Sequence, residues 1–400
     1  MYATGIVAEY NPFHNGHAYQ INEIKRQLNP DVIVAVMSGN FLQRGEPAIV
    51  DKWTRAQMAL HGGVDLVVEL PVLYSTQPAD YFAKGAIDIL RLLNIDSLSF
   101  GVESGSASDF VEAARWMVQN EHLIDQKIKE IENHNVPYAK QMEDMVTLLN
   151  PDLSLYLNSP NNQLGFAYTK ELTKHNLENK IKILPIVRKS AHYSDKKVNQ
   201  NSNIASATAL RRAMFKNEKI NKFIPKESML SFQKNYGQIV NWDNYFPYLK
   251  YQLTVQSEKS LRAIYEMNEG LENRLKKYIT SSNSFSEFMK NIKTKRYTQT
   301  RLQRLLVYVL LQITKEDILN TFSINPPVRV LGFNQKGQQY LSRQKNHLGS
   351  SLLTNINQKT RSKVPFDILA GQIYQLGDTQ IQIQDFKRKP IKLFDSGMKD

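Results

Sequence analysis

A pair of histidines near the N-terminus, His14 and His17, constrains most strongly what this chain can fold into. They follow a short apolar run, Ile6 to Ala8, which is typical of a buried parallel strand. Asn11-Pro12 ends this strand, because proline has no amide hydrogen and restricts the residue before it. Asn15-Gly16 predicts a turn, and helical spacing begins at His17. A strand, a turn and a helix start in this order predict an anion site, because the first amide groups of a helix are unpaired.

The first hundred residues alternate apolar, strand-like runs with amphipathic stretches. Strands are predicted at residues 3–9, 32–37, 66–70, 97–100 and, further along, 183–187, with helices at 17–28, 51–62 and 80–94. Asp51 is expected to cap the second of these helices, and capping alone would explain it. Strand–helix repetition with continuously apolar strands predicts an α/β fold with a parallel sheet covered on both faces. Such sheets bind ligands at the carboxyl ends of their strands.

Several candidate ligand-binding residues follow predicted strands or open a helix. Arg44, in a polar loop after the second strand, can bind a carboxylate or phosphate; a surface arginine is the alternative. Gly101 lies where a base or ribose can rest on bare backbone; a simple turn is the alternative. Arg188 follows the fifth strand beside a lysine, and such cations are costly to place there unless they meet an anion. Asn161 and Asn162 open a helix, which their amides can cap, or they can bind a ligand.

A second candidate segment, Ile204 to Arg212, leads into a helix predicted from about Ala207. Ser206 and its neighbouring threonine can cap this helix, and Arg211 follows in its first turns. Positive charge at this point would offset the negative charge that develops on a leaving pyrophosphate. An ordinary capped helix is the alternative.

Charge is distributed unevenly along the chain. The net charge is +13, but the first 150 residues hold 11 Lys and Arg against 19 Asp and Glu, and the other 250 hold 40 against 19. An acidic front half joined to a basic rear half indicates a catalytic core followed by a polyanion-binding region. A generally basic, solvated surface is the alternative.

A basic segment, Lys293 to Arg304, places five cations in twelve residues around one tyrosine. Cations neutralise RNA phosphates, and an exposed aromatic ring can stack on an unpaired base. A solvated basic helix face is the alternative. The predicted RNA contacts of this segment are Lys293, Lys295, Arg296, Tyr297, Arg301 and Arg304. Further cations, Lys387, Arg388, Lys389 and Lys392, lie in the final thirty residues.

Composition excludes several classes of protein. The chain has no cysteine, which excludes disulfides, thiolate zinc sites and a cysteine nucleophile, and fits a reducing cytoplasm. We expect no signal peptide, because a basic region followed by an apolar core is missing at the N-terminus. The longest strongly apolar run, Leu305 to Leu311, is shorter than the ~20 residues of a membrane span. We therefore expect a cytoplasmic protein without a membrane partner.

His14-Asn15-Gly16-His17 resembles the HxGH motif of the nucleotidyltransferase and class I aminoacyl-tRNA synthetase superfamily, whose histidines hold the phosphates of ATP. A polar turn with two surface histidines is the alternative. Ser206 to Arg211 resembles the second motif of that superfamily. Longer strings resemble the bacterial tRNA(Met) cytidine acetate ligases along essentially the whole chain. These strings are Tyr10 to His17, Gln43 to Pro47, Pro160 to Asn162 with Leu164-Gly165, and Lys295 to Thr298.

The resemblance implies a Rossmann-like, parallel-sheet nucleotidyltransferase domain at residues 1–220 and a mainly helical, basic tRNA-binding region at residues 221–400. It implies a carbon–nitrogen ligase that converts ATP to AMP and pyrophosphate. Acetate would be activated as acetyl-adenylate and would acetylate the exocyclic amine of the wobble cytidine of elongator tRNA(Met), giving acetylcytidine. Magnesium is expected to accompany ATP.

The resemblance also implies a set of site residues. Catalysis would depend on His14, His17, Arg44, Ser206 and Arg211. ATP would be bound by Val7, Ala8, Glu9, Tyr10, Asn11, Pro12, Phe13, His14, Asn15, Gly16, His17, Ala18, Tyr19, Gln20, Gly101, Asn161, Asn162 and Arg188.

Two other classes of function fit part of the chain. A small-molecule adenylyltransferase acting on a coenzyme precursor would have a similar front half, but the basic rear half would then have no purpose. A non-catalytic RNA-binding module that retains an inactive nucleotide fold is the second alternative. Intact His14, Gly16 and His17 argue against it. Salt-dependent binding of tRNA would separate the ligase from the small-molecule enzyme.

Overall fold

The computed structural model describes residues 1–131, 138–153, 159–189, 202–234, 239–268 and 270–394. Within these residues the strands form a single mixed sheet, in the order β5-β4-β1-β2-β3-β6-β7, and β8 pairs with the other end of β6. The strands are β1 (Ala3–Ala8), β2 (Val32–Ser38), β3 (Leu66–Leu70), β4 (Ser97–Val102), β5 (Lys182–Val187), β6 (Val328–Asn334), β7 (Leu352–Leu353) and β8 (Ile391–Leu393).

Helices cover both faces of the sheet and form most of the chain after β5. They are α1 (Asn15–Leu28), α2 (Lys52–His61), α3 (Val72–Ser75), α4 (Ala79–Leu92), α5 (Ala107–Ile131), α6 (Tyr138–Leu149), α7 (Pro160–Lys174), α8 (Ala207–Phe215), α9 (Lys226–Lys234), α10 (Trp242–Val255), α11 (Glu258–Ala263), α12 (Leu271–Ile279), α13 (Phe285–Ile292), α14 (Gln299–Leu311), α15 (Lys315–Phe322), α16 (Gln335–Leu348) and α17 (Pro365–Gln375). None of the helices described is long and apolar enough to cross a membrane.

The first five strands are parallel, as the alternation of apolar strands and helices predicts. Gly5 of β1 pairs with Val34 of β2 on one side and with Leu98 of β4 on the other. Because β2 and β4 leave β1 in opposite directions, strand order reverses at β1. Ligands of open α/β sheets bind at such a reversal, beyond the carboxyl ends of the strands. The fold therefore directs a ligand to the ends of β1 and β4.

Alternate residues of the strands face two different cores, as the pleat of a sheet requires. Val32, Val34 and Val36 of β2 pack with the helices of one face, α4, α5, α7 and α16. Ile33, Ala35 and Met37 pack with α1, α2, α8 and α9 on the other face. A third core lies among α10 to α15 and α17. The α/β fold with a mostly parallel sheet, covered on both faces, is confirmed.

The helical rear region also contributes to the sheet itself. β6 pairs antiparallel with β3, with Leu66 opposite Phe333. Buried ion pairs then join the two parts of the chain. Lys52 Nζ lies 2.8 Å from carboxylate oxygens of both Glu69 and Asp385, and Arg329 Nη1 lies 2.9 Å and 2.6 Å from the same two carboxylates. The division at residue 220 stays a prediction, and this sheet crosses it.

Candidate active site

The two histidines of the motif form the N-terminal cap of α1. His14 is the capping residue, in an extended conformation, and its Nδ1 accepts a hydrogen bond from the Gly16 amide at 3.0 Å. His17 Nδ1 accepts from the His14 amide at 3.2 Å, so the two side chains satisfy unpaired amides reciprocally. The helix therefore begins at Asn15, two residues earlier than predicted.

The position of the His14 side chain requires a glycine at residue 16. A Cβ built on Gly16 would lie 2.8 Å from Cε1 and 3.0 Å from Nδ1 of the His14 ring. Real Cβ atoms essentially never approach as closely as 2.8 Å. From the sequence, this glycine is expected to allow a tight turn and the close approach of a ligand. The structure adds a second reason, because only glycine leaves room for the capping imidazole.

Both imidazoles are neutral near pH 7 and carry their proton on Nε2. Each Nδ1 accepts from a backbone amide, which leaves Nε2–H as the free donor. Burial, followed by the charges of Arg188 and Arg211, lowers the pKa of His14 to about 3. Burial, followed by His14 and Arg188, lowers the pKa of His17 well below its usual value. The rings stack with centroids 3.8 Å apart, so the two donors lie side by side.

A cleft of about 650 Å³ opens at the carboxyl ends of β1 and β4. It lies where the reversal of strand order predicts a ligand. All five residues predicted to take part in catalysis line it: His14, His17, Arg44, Ser206 and Arg211. Most of the predicted ATP-binding residues line it as well, namely Val7, Ala8, Glu9, Tyr10, Asn11, His14, Gly16, His17, Tyr19, Gln20, Gly101, Asn161 and Arg188.

Five residues of the predicted ATP-binding set do not line this cleft: Pro12, Phe13, Asn15, Ala18 and Asn162. Phe13 is fully buried and packs under the end of α2. Asn15 Nδ2 donates to the carbonyls of Asn203 and Lys222, at 2.7 Å and 2.9 Å. Asn162 Oδ1 accepts from the Glu103 amide at 2.9 Å. In this structure these side chains hold the walls of the cleft in place rather than face it.

Arg211 and Ser206 connect α8 to the end of β1. Arg211 donates to the Asn11 carbonyl at 3.0 Å, and its guanidinium lies 3.7 Å from the Glu46 carboxylate. Ser206 caps α8 by accepting from the Ala209 amide at 3.1 Å. The predicted cap is confirmed, and it places a cation and a helix N-terminus on the wall of the cleft.

Arg55, which sequence reasoning did not assign to the site, organises its floor. The side chain is fully buried and donates to the carbonyls of Val50 at 3.1 Å, Glu9 at 2.7 Å, Ser38 at 3.0 Å and Gly39. These contacts tie together the ends of β1 and β2 and the loop that follows β2. An arginine on the buried face of an otherwise core-forming helix was the available signal, because buried cations require several partners.

The predicted RNA-binding set is divided between the surface and the cleft. Lys293 and Lys295 are exposed. Tyr297, in contrast, is only 6% exposed and packs in the helical core, so the predicted stacking of its ring on a base is wrong for this structure. Arg301 covers that ring at 4.8 Å. Arg304 is 9% exposed and lines the cleft, and its Nε has no hydrogen-bond partner among the described residues.

Several cleft residues were missed altogether. Tyr168, Glu46, Thr298 and Thr300 line the cleft. Glu46 and Thr298 lie in strings that carry the family resemblance, so their position was a usable signal. Tyr168 lies on the buried face of α7, where an aromatic residue reads as ordinary core.

The chain was then compared with known proteins. A model of the HIGH nucleotidyl transferase family matches residues 1–389. The tRNA(Met) cytidine acetate ligase of Bacillus subtilis (strain 168) is 39% identical, over 98% of this chain and 97% of that protein. The enzyme of the same name from Geobacillus sp. (strain WCH70) is 42% identical, over 89% of this chain and 90% of its own length.

Two solved structures share this fold. The apo crystal structure of Thermotoga maritima TmcAL superimposes with a TM-score of 0.91 and 28% identity, over 99% of this chain and 100% of that one. The structure of the same protein bound with alpha-thio ATP superimposes with a TM-score of 0.88, at the same identity and coverage.

Proposed function

This chain belongs to the HIGH nucleotidyl transferase family and, within it, to the tRNA(Met) cytidine acetate ligases, and we propose that it acetylates the wobble cytidine of elongator tRNA(Met) with acetate and ATP. The observation that carries the proposal is the pair of neutral imidazoles at the N-terminus of α1. The relatives' shared name favours this activity over adenylyl transfer to a coenzyme precursor. We place the reaction in the cytoplasm, where tRNA is found.

The first step joins acetate to the α-phosphorus of ATP and releases pyrophosphate. His14 and His17 each offer an Nε2–H to phosphate oxygens, and the free amides of α1 add a favourable dipole. Arg188, Arg211 and the N-terminus of α8 would stabilise the charge that develops on the leaving group. Little covalent work is required of the protein, so positioning of the two substrates dominates.

The opposite wall of the cleft suits the adenosine. A Cβ on Gly101 would meet no protein atom closer than 3.7 Å, so the space over this residue belongs to the cleft. Asn161 Nδ2 donates to Glu103 Oε1 at 2.6 Å, which fixes this wall beside Gly101. We propose that the nucleoside lies on the bare backbone of Gly101, between Asn161 and Arg188.

We propose that magnesium accompanies ATP, bound mainly through phosphate oxygens and water. Among the residues that the structure describes, no three His, Asp or Glu are grouped so that they could hold a metal ion. Magnesium usually keeps several waters and needs few protein ligands when phosphates are present. The ion would add positive charge beside the imidazoles, where both side chains are neutral.

The second step requires the tRNA to reach the same cleft. The first turns of α14 lie directly on the loop after β2, since a Cβ on Gly45 would meet the Arg304 amide at 2.2 Å. Thr298, Thr300 and Arg304 therefore line the cleft while Lys293 and Lys295 remain on the surface. We propose that RNA bound along this basic segment presents its cytidine to acetyl-adenylate, whose carbonyl the exocyclic amine attacks as AMP leaves.

The test is acetate-dependent exchange of pyrophosphate into ATP. His14→Ala removes one donor and the cap of α1, and we expect exchange to be lost. His122→Ala, at an exposed histidine of α5, is the matched control and should retain it. Near-normal exchange by His14→Ala would refute the assignment of the imidazoles to the triphosphate.

A further inference from the structure

A second cleft, of about 580 Å³, lies on the other side of the loop that follows β2. Leu42, Gln43, Arg44 and Glu46 of this loop line the ATP cleft. The end of the loop and the start of α2, at Val50, Asp51, Trp53 and Thr54, line the second one. The segment before β8 forms its other wall. Because β8 is parallel to β6, and β6 is antiparallel to β3, that segment reaches the same edge of the sheet as the ATP cleft.

The second cleft is strongly positive. Lys234, Lys387, Arg388 and Lys389 line it, and Asp51 is the single carboxylate among its lining residues. The Asp51 carboxylate is already engaged, because it accepts from the Thr54 amide at 2.7 Å and from Gln384 Nε2 at 2.9 Å, and lies 3.9 Å from Arg388.

The three lysines of this cleft face no counter-charge among the residues that the structure describes. Lys234, Lys387 and Lys389 are exposed, and none makes an ion pair within the described part of the chain. Lys387 also has a φ of +63°, in the left-handed region that side chains rarely adopt. Uncompensated cations around one concave surface attract an anion with several charges.

The floor of the second cleft is rigid. Arg388 lies over the Trp53 ring at 5.0 Å and donates to Gln382 Oε1 at 2.7 Å. Trp53 Nε1 donates to the Gln384 carbonyl at 2.7 Å, and Asp385 is held in the buried ion pairs with Lys52. Arg388 is therefore held in place before any ligand arrives, which reduces the entropy cost of binding.

We propose that this second cleft binds the phosphate backbone of the substrate RNA, outside the ATP cleft. The proposal rests on the function proposed above, which supplies the RNA. Trp53 is 4% exposed and Tyr374 is fully buried, so neither ring is free to stack on a base. Contacts limited to cations recognise phosphates rather than bases. RNA that spans the loop between the two clefts would be held on both sides of the reacting cytidine.

The experiment compares two double variants of the full-length protein. Lys387→Ala/Lys389→Ala removes two cations of the second cleft. Lys336→Ala/Lys345→Ala removes two exposed cations of α16, which begins at the opposite edge of the sheet, where Asn334 meets Asp65. The affinity for tRNA is measured by fluorescence anisotropy over a series of salt concentrations. Acetate-dependent pyrophosphate exchange reports separately on the ATP cleft.

We expect the cleft variant to bind tRNA on the order of tenfold more weakly than the control at low salt. Its plot of log affinity against log salt should be shallower by about 1.4, since each lost phosphate contact removes about 0.7. Pyrophosphate exchange should be unchanged. Affinity and slope equal to those of the control would overturn the proposal. If the unmodified protein fails to bind tRNA at all, the proposed function itself is wrong.

Discussion

At the scale of single residues, the HxGH motif, proposed above to bind phosphates, is also a helix cap. The spacing of three between His14 and His17 places them at the capping residue and the third helical residue, where side chains can exchange hydrogen bonds with each other's backbone. Capping consumes both Nδ1 atoms and so fixes the proton of each ring on Nε2. The same contacts that start α1 therefore prepare two donors for the cleft.

The first prediction concerns the glycine between these histidines. In Gly16→Ala, the new Cβ would displace the His14 ring, which lies 2.8 Å away. We expect kcat/KM for ATP to fall on the order of tenfold to a hundredfold, because small misplacements of catalytic groups are costly. Alanine is the better helix former, and this gain offsets the disturbed cap. Thermal stability should therefore change little. Steady-state kinetics and a melting curve test this, and unaltered kinetics would contradict it.

The second prediction concerns pH. The pKa of His14 is lowered to about 3 in the folded protein, so the unfolded chain takes up the proton first as pH falls below about 6.5. Neutral His14 makes its full contribution to the free energy of unfolding above that pH, and the contribution is lost on acidification. Each pH unit below about 6.5 lowers the free energy of unfolding by at most about 1.4 kcal/mol. His14→Asn keeps a capping residue without the titration.

Urea unfolding at about pH 7 and about pH 5.5 measures this effect. We expect the free energy of unfolding of the unmodified protein to drop by roughly 1 kcal/mol more than that of His14→Asn. Equal losses in the two proteins would show that His14 does not titrate as its burial requires.

Sequence reasoning at this scale succeeds where a pattern has a local cause. The motif and the caps at Asp51 and Ser206 depend on neighbours within a few residues. Reasoning fails where burial decides the role. Tyr297 lies in a basic, polar string that resembles an RNA-binding surface, yet its ring packs into the helical core. Arg55 and Lys52 lie at the start of a helix, where cations are usually solvated, yet both are fully buried.

At the scale of elements, the predicted strands and helices of the first hundred residues are present in the predicted order, with bounds that differ by at most two residues. The short helix α3 was not predicted. The antiparallel pairing of β6 with β3 was not predictable, because residues 71–327 separate the two strands. The ion pairs that accompany this strand pairing were not predictable for the same reason. Glu69 lies at the end of a buried strand, and its ion-pair partners are Lys52 and Arg329. These two cations and Asp385, the second carboxylate that they bind, come from three different parts of the chain.

The third prediction tests these ion pairs. Asp385→Ala leaves Lys52 and Arg329 sharing the single carboxylate of Glu69 in a buried site. We expect a loss of about 3–5 kcal/mol in the free energy of unfolding, since an uncompensated buried charge remains. Glu316→Ala, at an exposed carboxylate of α15, is the control and should lose less than about 0.5 kcal/mol. Urea denaturation measures both, and similar midpoints would contradict the prediction.

At the scale of the whole molecule, the cleft that we propose for ATP is assembled from both halves of the chain. Residues 1–220 supply the imidazoles and the strand ends, and residues 221–400 supply Thr298, Thr300 and Arg304. The strong positive charge of the rear half is evident from composition, and the polyanion binding expected from it stays a prediction. The sequence did not indicate that the rear half also completes the sheet, because pairing between distant strands leaves no local pattern.

The fourth prediction follows from that shared sheet. A fragment of residues 1–220 would leave the edge of β3 unpaired and would expose Val67 and Val68, which are fully buried in the intact protein. We expect this fragment to aggregate rather than fold as a monomer, because unpaired apolar edges associate. Gel filtration of the fragment beside the full-length protein tests this. A monomeric fragment with a cooperative melting transition would show that residues 1–220 form an independent domain.

The late arrival of β6 also has a consequence for synthesis. Roughly 260 residues must be translated after β3 before its partner leaves the ribosome, which takes about 13–50 s at typical elongation rates. Throughout that interval the nascent chain carries an open sheet margin that other polypeptides can join. Cells that make this protein therefore have reason to shield it with a holding chaperone until translation is nearly finished.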